Sequence, residues 1–304
     1  MAAAADNARA SVVESSKAAL THGGYASRRE TKFVGLLDDR VAFITGAARG
    51  QGRNHAVRLA REGASIIAID IAAEVSADVG YSPATNEDLA ETADLVAREG
   101  QQIFARVADV RDAAAMSEVL GEGVAKLGGR LDVVVANAGI CNWGRFWEMS
   151  ESQWQTMIDV NLTGVWQTMK AAVPHMLQAG NGGSIITVSS VAGIKSLPGQ
   201  AHYSAAKHGI VGLTKSAAIE LGEYGIRVNS VHPWGVATAM AQDPMTEKML
   251  TEHPNYIGSF GSALPGVPLA ECDDISDGVV WLASDLSRAV TGAQLPLDMG
   301  ATKV

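Results

Sequence analysis

The amino-acid sequence predicts a single α/β domain, built as a doubly wound parallel sheet with helices on both faces. Short runs of apolar and β-branched residues, such as 41–45, 65–70 and 131–136, alternate with longer stretches of helical periodicity. This alternation is typical of parallel strands joined by helical crossovers. With 304 residues, of which 47% are hydrophobic, the chain is long enough to bury one large core. We therefore predict one folded domain over residues 38–304.

Residues 1–37 differ in composition from the rest of the chain. Ala, Ser, Gly and scattered charges dominate this segment, and it has little apolar periodicity. Such a composition offers little apolar surface for burial, so we expect a disordered N-terminal extension outside the folded domain. A basic start rich in Ala and Ser is also found in organellar transit peptides, and a start codon placed too early is a third interpretation.

Charge and cysteine content disfavour several classes of partner and site. The chain has 24 Lys and Arg against 33 Asp and Glu, a formal charge of -9, which disfavours nucleic acid and anionic membranes as partners. The sequence has no apolar run of the roughly 20 residues that span a bilayer. Cys141 and Cys272 lie too far apart in sequence for metal-site spacing or a disulfide framework. We therefore expect no metal site and a cytoplasmic location.

The first strand, residues 40–45, leads into a glycine-rich turn and then into a helical stretch. Gly46, Gly50 and Gly52 permit a tight turn and let backbone N–H groups approach a pyrophosphate at the positive end of the helix. The spacing Gly-x3-Gly-x-Gly departs from the more common Gly-x-Gly-x-x-Gly, so the order of strand, turn and helix carries the argument. The pattern predicts a dinucleotide phosphate site.

Asp70 ends the second strand, residues 65–70, where a dinucleotide fold receives the adenine ribose. Its carboxylate can accept hydrogen bonds from both ribose hydroxyls and would repel a 2′-phosphate, which predicts NAD rather than NADP. Arg49 in the glycine turn argues the other way, because a guanidinium can pair with that phosphate. It can equally bind pyrophosphate or face solvent. A helix N-cap is the structural alternative for Asp70.

The next two strands also end in candidate groups. The third strand, 102–107, leads to Asp109, whose carboxylate could accept from the adenine amino group. The fourth ends at Asn137-Ala138-Gly139, which is small enough to pass under the adenine ribose. Residues 71–86, after the second strand, form an unusually long connection, and long ordered loops are often lids over functional sites.

Tyr203 and Lys207 stand four positions apart in a helical stretch, so their side chains share one face. A fixed ammonium beside a phenol favours the phenolate and lowers the tyrosine pKa, which suits Tyr203 to exchange a proton with an alcohol. Ser190 ends a buried strand upstream, and its hydroxyl could hold the substrate oxygen; Ser189 is the alternative. Taken alone, the Tyr-Lys spacing is also compatible with an ordinary amphipathic helix.

In this order, Thr45–Gly52, Asn137–Gly139, Ser190 and Tyr203-x-x-x-Lys207 resemble the motifs of the short-chain dehydrogenase/reductase family. The resemblance covers about residues 38–300 and implies a Rossmann-type fold that binds NAD. It also implies that Tyr203 is the general acid/base, that Ser190 orients the substrate oxygen, and that Lys207 binds the nicotinamide ribose and lowers the tyrosine pKa.

The resemblance extends to further site residues. Asn161 matches the family's helix asparagine, whose main chain holds a water that continues a proton relay from Lys207. The cofactor-binding residues implied by the resemblance and by the strand-end pattern are Gly46, Arg49, Gly50, Gln51, Gly52, Asp70, Asp109, Val110, Asn137, Ala138, Gly139, Tyr203, Lys207, Pro233, Val236 and Thr238.

Several segments are similar to a narrower group, the carveol-dehydrogenase-like, mycofactocin-associated subfamily. The segments 46–52, 135–140, 202–208 and 231–233, together with the long loop after Asp70, carry this similarity. It implies that the loop covers NAD and keeps it from exchanging, with electrons passing to the redox cofactor mycofactocin. Most of the family has Pro-Gly where this chain has Pro233-Trp234. The indole of Trp234 either narrows the nicotinamide site or packs against the following helix.

Substrate specificity is expected to come from the segment after Gly139 and from residues 239–270. Both are rich in the aromatic and sulfur side chains that surround apolar substrates, although core packing is the alternative for each of them. The candidates are Cys141, Trp143, Phe146 and Trp147 in the first segment, and Met240, Met245, Met249, Tyr256 and Phe260 in the second.

These observations predict an NAD-dependent oxidoreductase that interconverts a hydrophobic secondary alcohol, carveol-like or another terpene or alicyclic alcohol, and its ketone. Two other functions stay open: a reductase of 3-oxoacyl or steroid ketones with freely exchanging NAD(P)H, and a nucleotide-binding sensor without catalysis. The last helix, predicted over 273–286, and the strand after it resemble family elements that commonly build tetramers, which predicts a homotetramer.

Overall fold

The computed structural model describes residues 35–264, 266 and 269–304. The predicted extension, residues 1–37, lies outside the described residues apart from 35–37. Leu37 is buried, and its N–H donates to the carbonyl of Glu62 at 2.7 Å. The last residues of that range therefore pack with the folded domain.

Within these described residues, parallel strands form one seven-stranded sheet. In chain order they are β1 Val41–Thr45, β2 Ser65–Asp70, β3 Ile103–Val107, β4 Val133–Ala136, β5 Gly183–Val188, β6 Ile226–Pro233 and β7 Gln294–Leu297. Their spatial order is β3-β2-β1-β4-β5-β6-β7, and every neighbouring pair is parallel. The prediction of a doubly wound parallel sheet is confirmed.

Eight α-helices connect the strands of the described part of the chain. They are α1 Gly50–Arg61, α2 Asn86–Arg98, α3 Ala113–Lys126, α4 Glu151–Ile158, α5 Gly164–Ala179, α6 Ala201–Leu221, α7 Pro244–Glu252 and α8 Cys272–Ala283. None of these helices is long and apolar enough to cross a bilayer.

The central strands are buried on both faces. Phe43 and Ile67 point into one apolar cluster, whereas Ala42 and Ile44 point into the cluster on the opposite face. Burying a side chain such as Ile44 completely stabilises the fold by about 1.5–3 kcal/mol. The continuous apolar runs of these strands thus have the pattern expected for a sheet covered by helices on both sides.

The last predicted helix is shorter than expected. α8 ends at Ala283 rather than at 286, because Ser284 leaves the helical conformation with ψ of 169° and its hydroxyl accepts from the N–H of Leu286. That hydrogen bond starts a separate 3-10 turn at Asp285–Ser287. A local side-chain cap therefore overrides the apolar periodicity at this end.

The carboxyl ends of the strands meet along one edge of the sheet. The chain order reverses between β1 and β4, the neighbouring strands at the centre. Ligands of open α/β sheets bind in the crevice at such a reversal. Thr45, Asp70, Ala136 and Val188 end their strands at this edge, and the predicted site residues follow them directly.

Candidate active site

A cavity of about 680 Å³ opens at this edge of the sheet. Its volume is within the range of about 300–1,000 Å³ that is typical of small-molecule and cofactor sites. All residues predicted to bind cofactor, together with Asn161 and Ser190, line it. The structure thus brings groups that are dispersed over the sequence into one site.

The glycine turn is fixed by close backbone approach. Gly46 has φ of +67°, and a Cβ on it would lie 2.8 Å from the Cα of Ala138. A Cβ on Gly52 would lie 1.9 Å from the carbonyl oxygen of Gly46. The Asn137 amide donates to the carbonyls of Thr45 and Gly46 at 2.9 and 3.2 Å. Side chains at these glycines would therefore displace the turn from the Asn137 segment.

Asp70 is held at the end of β2 by the backbone on both sides. One carboxylate oxygen accepts from the N–H of Ala48 at 2.9 Å and the other accepts from Ala72 at 3.0 Å. The N-cap alternative is wrong, because no helix starts there: α2 begins at Asn86, and Thr85 caps it. The remaining lone pairs of the carboxylate can accept from ribose hydroxyls in the cavity.

Arg49 lines the cavity, but its guanidinium is engaged by the long loop. It donates to the carbonyl of Ser82, and its Cζ lies 6.0 Å from the ring centroid of Tyr81. This contact with Ser82 was not among those considered from the sequence. Arg49 anchors the loop to the glycine turn.

Asp109 reaches the cavity with its carboxylate already paired. The Arg111 guanidinium lies 2.6 Å from it, and the Arg111 N–H donates to the same carboxylate at 2.9 Å. Any bond from an adenine amino group would therefore share this carboxylate with Arg111. The neighbouring Val110 is buried against the core.

Tyr203, Ser190 and Lys207 are buried together at the base of the cavity. The Ser190 hydroxyl accepts from the Ala192 N–H at 3.1 Å and lies close enough to the Tyr203 phenol to oppose the rise of its pKa. Ser189 is directed differently, since its hydroxyl donates to the carbonyl of Lys207 at 3.0 Å. Of the two serines, Ser190 is the one whose hydroxyl meets the phenol.

His232, at the end of β6, is hydrogen-bonded to the backbone of Ser190. Its Nδ1 donates to the Ser190 carbonyl at 2.8 Å, and its Nε2 lies 2.8 Å from the Ser230 hydroxyl. The histidine therefore has a structural role. Burial is the main reason that its pKa is lowered.

The lowering of the Tyr203 pKa by Lys207 stays a prediction, because burial, and not the ammonium, is the main cause of the shift here. Burial raises the pKa of Tyr203 well above its ordinary value, and the Cys141 thiol raises it further, while the Ser190 hydroxyl opposes the rise. The Lys207 ammonium lies 5.4 Å from the tyrosine ring centroid and donates to the carbonyl of Val188 at 2.8 Å. Burial lowers the pKa of Lys207 itself to about 8.

Asn161 lies in a π-helical turn, Asp159–Thr163, between α4 and α5. Its amide oxygen accepts from the Ile140 N–H at 3.2 Å, and its amide nitrogen donates to the Ile140 carbonyl at 3.0 Å. The side chain is thus occupied in fixing the segment after β4. Helical turns of this width are frequent at functional sites.

The long connection 71–85 forms one side of the cavity. Tyr81 extends from it to the segment after β4, where its hydroxyl oxygen accepts from the Cys141 N–H at 3.2 Å. A Cβ on Gly80 would lie 2.3 Å from the Asp243 carboxylate, next to α7. The sequence predicted the loop but not the contribution of Tyr81, because a lone tyrosine in a polar loop has no recognisable spacing.

Aromatic and sulfur-containing side chains form the other side. The Trp143 and Phe260 rings lie 5.6 Å apart, and Trp234 lies 6.3 Å from Phe260. Trp234 therefore contributes to the cavity, as do Cys141 and Met240. The expectation was wrong for other members of the two segments: Phe146 and Trp147 are 68% and 61% exposed, and Met245, Met249 and Tyr256 do not line the cavity.

Within residues 35–264, 266 and 269–304, no group of three or more His, Cys, Asp or Glu side chains could hold a metal ion.

Comparisons with known proteins are consistent with this geometry. A family model described as short chain dehydrogenase matches residues 40–248. The chain is 54% identical over 274 residues to an uncharacterized NAD-dependent oxidoreductase of Mycobacterium tuberculosis, covering 88% of this chain and 98% of the relative. It is 43% identical over 275 residues to a (-)-trans-carveol dehydrogenase of Rhodococcus erythropolis, with coverage of 88% and 98%.

A solved structure agrees as well. The crystal structure of a short chain dehydrogenase from Mycobacterium paratuberculosis bound to NAD superposes with a TM-score of 0.87 at 46% identity, covering 89% of this chain and 100% of that chain. The chain belongs to the short-chain dehydrogenase family, as its ordered motifs predict.

Proposed function

We propose that this protein is an NAD-dependent dehydrogenase that interconverts a hydrophobic secondary alcohol and its ketone. The observation that carries the proposal is the burial of Tyr203, Ser190 and Lys207 together in a cavity that also contains Asp70 and the glycine turn. A sensor without catalysis would have no use for this set of proton-exchanging groups. Relatives named as NAD-dependent oxidoreductase and carveol dehydrogenase support the same reaction class.

The residues present fit NAD as the cofactor. Side chains at Gly46 and Gly52 would collide with the backbone of Ala138 and Gly46, so the turn that places backbone N–H groups at the start of α1 depends on these glycines. Asp70 has lone pairs available for two ribose hydroxyls, and its charge disfavours a 2′-phosphate. When bound, NAD supplies the acceptor for the hydride that leaves the alcohol carbon.

The proton is handled by the chain's own side chains. Ser190 holds the alcohol oxygen through its hydroxyl, while Tyr203 takes the hydroxyl proton as the carbonyl forms. Because burial keeps Tyr203 protonated in the absence of ligand, a cation must favour its phenolate during the reaction. Lys207 is the nearest candidate, with its Nζ 5.4 Å from the phenol ring centroid. A water held by the main chain near Asn161, as the family resemblance implies, would take the proton onward.

The apolar wall favours a cyclic or branched alcohol over a charged one. Trp143, Trp234 and Phe260 supply aromatic surface, and Leu197, Met240 and Leu250 supply aliphatic surface. We place the substrate among terpene and alicyclic alcohols of carveol-like size, because such molecules bury apolar area against these side chains without leaving a charge unpaired.

The loop 71–85 supports a cofactor that exchanges slowly. Arg49 holds Ser82, Cys141 holds Tyr81, and Gly80 approaches Asp243, so contacts from three separate segments keep the loop against the cavity. A retained cofactor needs an electron acceptor other than free NAD. Mycofactocin is the acceptor that we propose.

A direct test combines cofactor analysis with a substrate panel. The purified protein is dialysed and its NAD content is measured by absorbance and native mass spectrometry. Carveol, aliphatic and steroid secondary alcohols are then assayed with free NAD and with an artificial electron acceptor. Retained NAD and faster turnover with the artificial acceptor are expected. Turnover only with added NAD(P) would favour the freely exchanging reductase, and no turnover of any alcohol would contradict the proposed activity.

We further propose a homotetramer in the cytoplasm. Trp154 and Trp166, on α4 and α5, are 42% and 44% exposed, and indole rings of this kind are enriched in subunit interfaces. Both cysteines are free, which suits a reducing compartment. Light scattering after size exclusion should give four times the chain mass; a stable monomer would contradict this assembly.

A further inference from the structure

We propose that Tyr81 is a specificity-determining residue whose hydroxyl donates a hydrogen bond to a second oxygen of the substrate, remote from the oxygen that is oxidised. The inference rests on the proposed alcohol dehydrogenase function and narrows its substrate class. The preferred substrate would be an alicyclic alcohol that also has a hydroxyl or carbonyl group.

Among the residues that the structure describes, the Tyr81 hydroxyl makes one hydrogen bond, as an acceptor. Its oxygen accepts from the Cys141 N–H at 3.2 Å. Its own proton is donated to no residue in the described part of the chain, although the side chain lines the cavity and is partly buried. A phenol in such a position has one donor remaining. That donor is available to a ligand.

The Tyr81 phenol faces the same part of the cavity as Tyr203. Cys141 connects Tyr81 to the start of α6. The side-chain amide of Gln200, which directly precedes α6, donates to the Cys141 sulfur at 3.2 Å. Tyr203 lies in the first turn of that helix. Tyr81 and the Cys141 thiol both contribute to the raised pKa of Tyr203, which agrees with the two phenols facing the same space. Tyr81 is therefore on the substrate side of the cavity.

The polar groups of Tyr81 and Gln200 differ from the largely apolar side chains that line the rest of this part of the cavity. Trp143, Leu197, Trp234, Met240 and Phe260 offer apolar surface, whereas the Tyr81 hydroxyl and the Gln200 amide form a polar pair around Cys141. A ligand that is apolar throughout would bury this donor without a partner, which is costly. A second oxygen placed there would satisfy it.

Burial of the cysteine argues against a reactive thiol as the reason for this pair. The Cys141 side chain is buried, and burial raises the pKa of its thiol to about 12. Nucleophilic chemistry requires the thiolate, which is scarce at neutral pH under these conditions. The pair thus remains as a hydrogen-bonding site.

The experiment compares ligands that differ by one oxygen. Dissociation constants of cyclohexanol and of the 1,2-, 1,3- and 1,4-cyclohexanediols are measured by calorimetry on full-length, NAD-loaded protein and on Tyr81→Phe. Turnover of each alcohol is measured alongside. Tyr224→Phe, which removes the hydroxyl of a half-exposed tyrosine outside the cavity, is the matched control.

At least one diol should bind the parent protein about three- to tenfold more tightly than cyclohexanol, the range expected for one added neutral hydrogen bond. Tyr81→Phe should reduce that ratio towards one, and Tyr224→Phe should keep it. The proposal would be overturned if no diol bound more tightly than cyclohexanol, or if the ratio of the two affinities were unchanged in Tyr81→Phe. The proposal would also be overturned if Tyr81→Phe lost affinity equally for all ligands and lost NAD as well. Tyr81 would then only hold the loop in place.

Failure of the proposed function has a separate signature. If the diol preference and its dependence on Tyr81 are present but no alcohol is turned over with any acceptor, the binding inference stands and the dehydrogenase assignment falls.

Discussion

The carboxylate of Asp70 accepts a hydrogen bond from the backbone N–H of Ala48 at 2.9 Å, so the acid at the end of β2 is tied to the glycine turn that follows β1. One residue thus fixes the spacing between the expected positions of ribose and pyrophosphate. Cofactor selection and turn geometry are coupled at this point.

Replacing Asp70 with Ala should weaken NAD binding by about 100-fold, because both expected ribose hydrogen bonds and the Ala48 contact are lost. Discrimination against NADP should fall at the same time, since the negative charge is gone. Dissociation constants for both cofactors test this. Asp94→Ala, at an exposed position on α2, is the control. Unchanged discrimination would contradict the role of Asp70.

Tyr203→Phe should reduce turnover by about 10²–10⁴-fold, the usual contribution of a positioned acid/base, while NAD content stays close to that of the parent. The ring is kept, so the packing around it is retained. Single-turnover kinetics and cofactor analysis of the same preparation test both parts. A variant that turns over at the parent rate would refute the assignment.

NAD binding should weaken as the pH rises through about 8, because burial lowers the pKa of Lys207 to that value and its ammonium is lost above it. The expected loss between pH 7 and 10 is roughly tenfold, the contribution of a charge-assisted hydrogen bond. Calorimetry across this range measures it. Lys207→Met should bind NAD weakly at every pH. If the NAD affinity of the parent protein did not change between pH 7 and 10, this would contradict an ammonium contact with NAD.

Stability should decrease in acid because of His55. This side chain is fully buried between α1 and α8, with its Nδ1 2.7 Å from the Ser276 hydroxyl, and burial lowers its pKa from 6.5 to about 3. Between these values the unfolded chain binds the extra proton, so the free energy of unfolding is complete above pH 6.5 and falls as the pH drops towards 3.

Denaturant unfolding between pH 4 and 8 tests the His55 effect. His55→Asn should lower stability at pH 8 but show a smaller decrease towards pH 4, and His175→Asn should keep the parent's slope. Equal slopes in parent and His55→Asn would show that other groups cause the acid sensitivity.

Arg49→Met should speed NAD release by about tenfold or more, since the charge-assisted bond to the Ser82 carbonyl no longer holds the loop. Met retains much of the side-chain volume and removes the charge. Stopped-flow exchange of bound NAD for a fluorescent analogue gives the rate. Arg98→Met, at the end of α2 and outside the cavity, is the control. An unchanged release rate would mean that other contacts hold the loop.

The fold and many of the residues that line the cavity could be predicted from sequence because they depend on local patterns. Buried strands such as 65–70 have continuous apolar runs, and parallel topology brings their carboxyl ends together. Asp70 and Ser190 could therefore be selected from their positions at strand ends. Tyr203 and Lys207 could be paired because helical geometry relates positions four apart.

Interactions that depend on tertiary packing could not be predicted in this way. The engagement of Arg49 by Ser82 requires the path of a loop that has no regular period. The raised pKa of Tyr203 comes from burial, whose extent is not a property of neighbouring residues in sequence. Phe146 and Trp147 have the composition of a pocket, yet their orientation turns them outward.

The approach of Gly80 to Asp243 has a practical consequence. A side chain at position 80 would meet the Asp243 carboxylate, so steric bulk there offers a graded way to loosen the loop without altering the catalytic candidates Ser190, Tyr203 and Lys207. With the cofactor retention proposed above, a series from Ala to Val to Leu should speed NAD release in steps. An enzyme redesigned in this way could be coupled to ordinary recycling systems for biocatalysis.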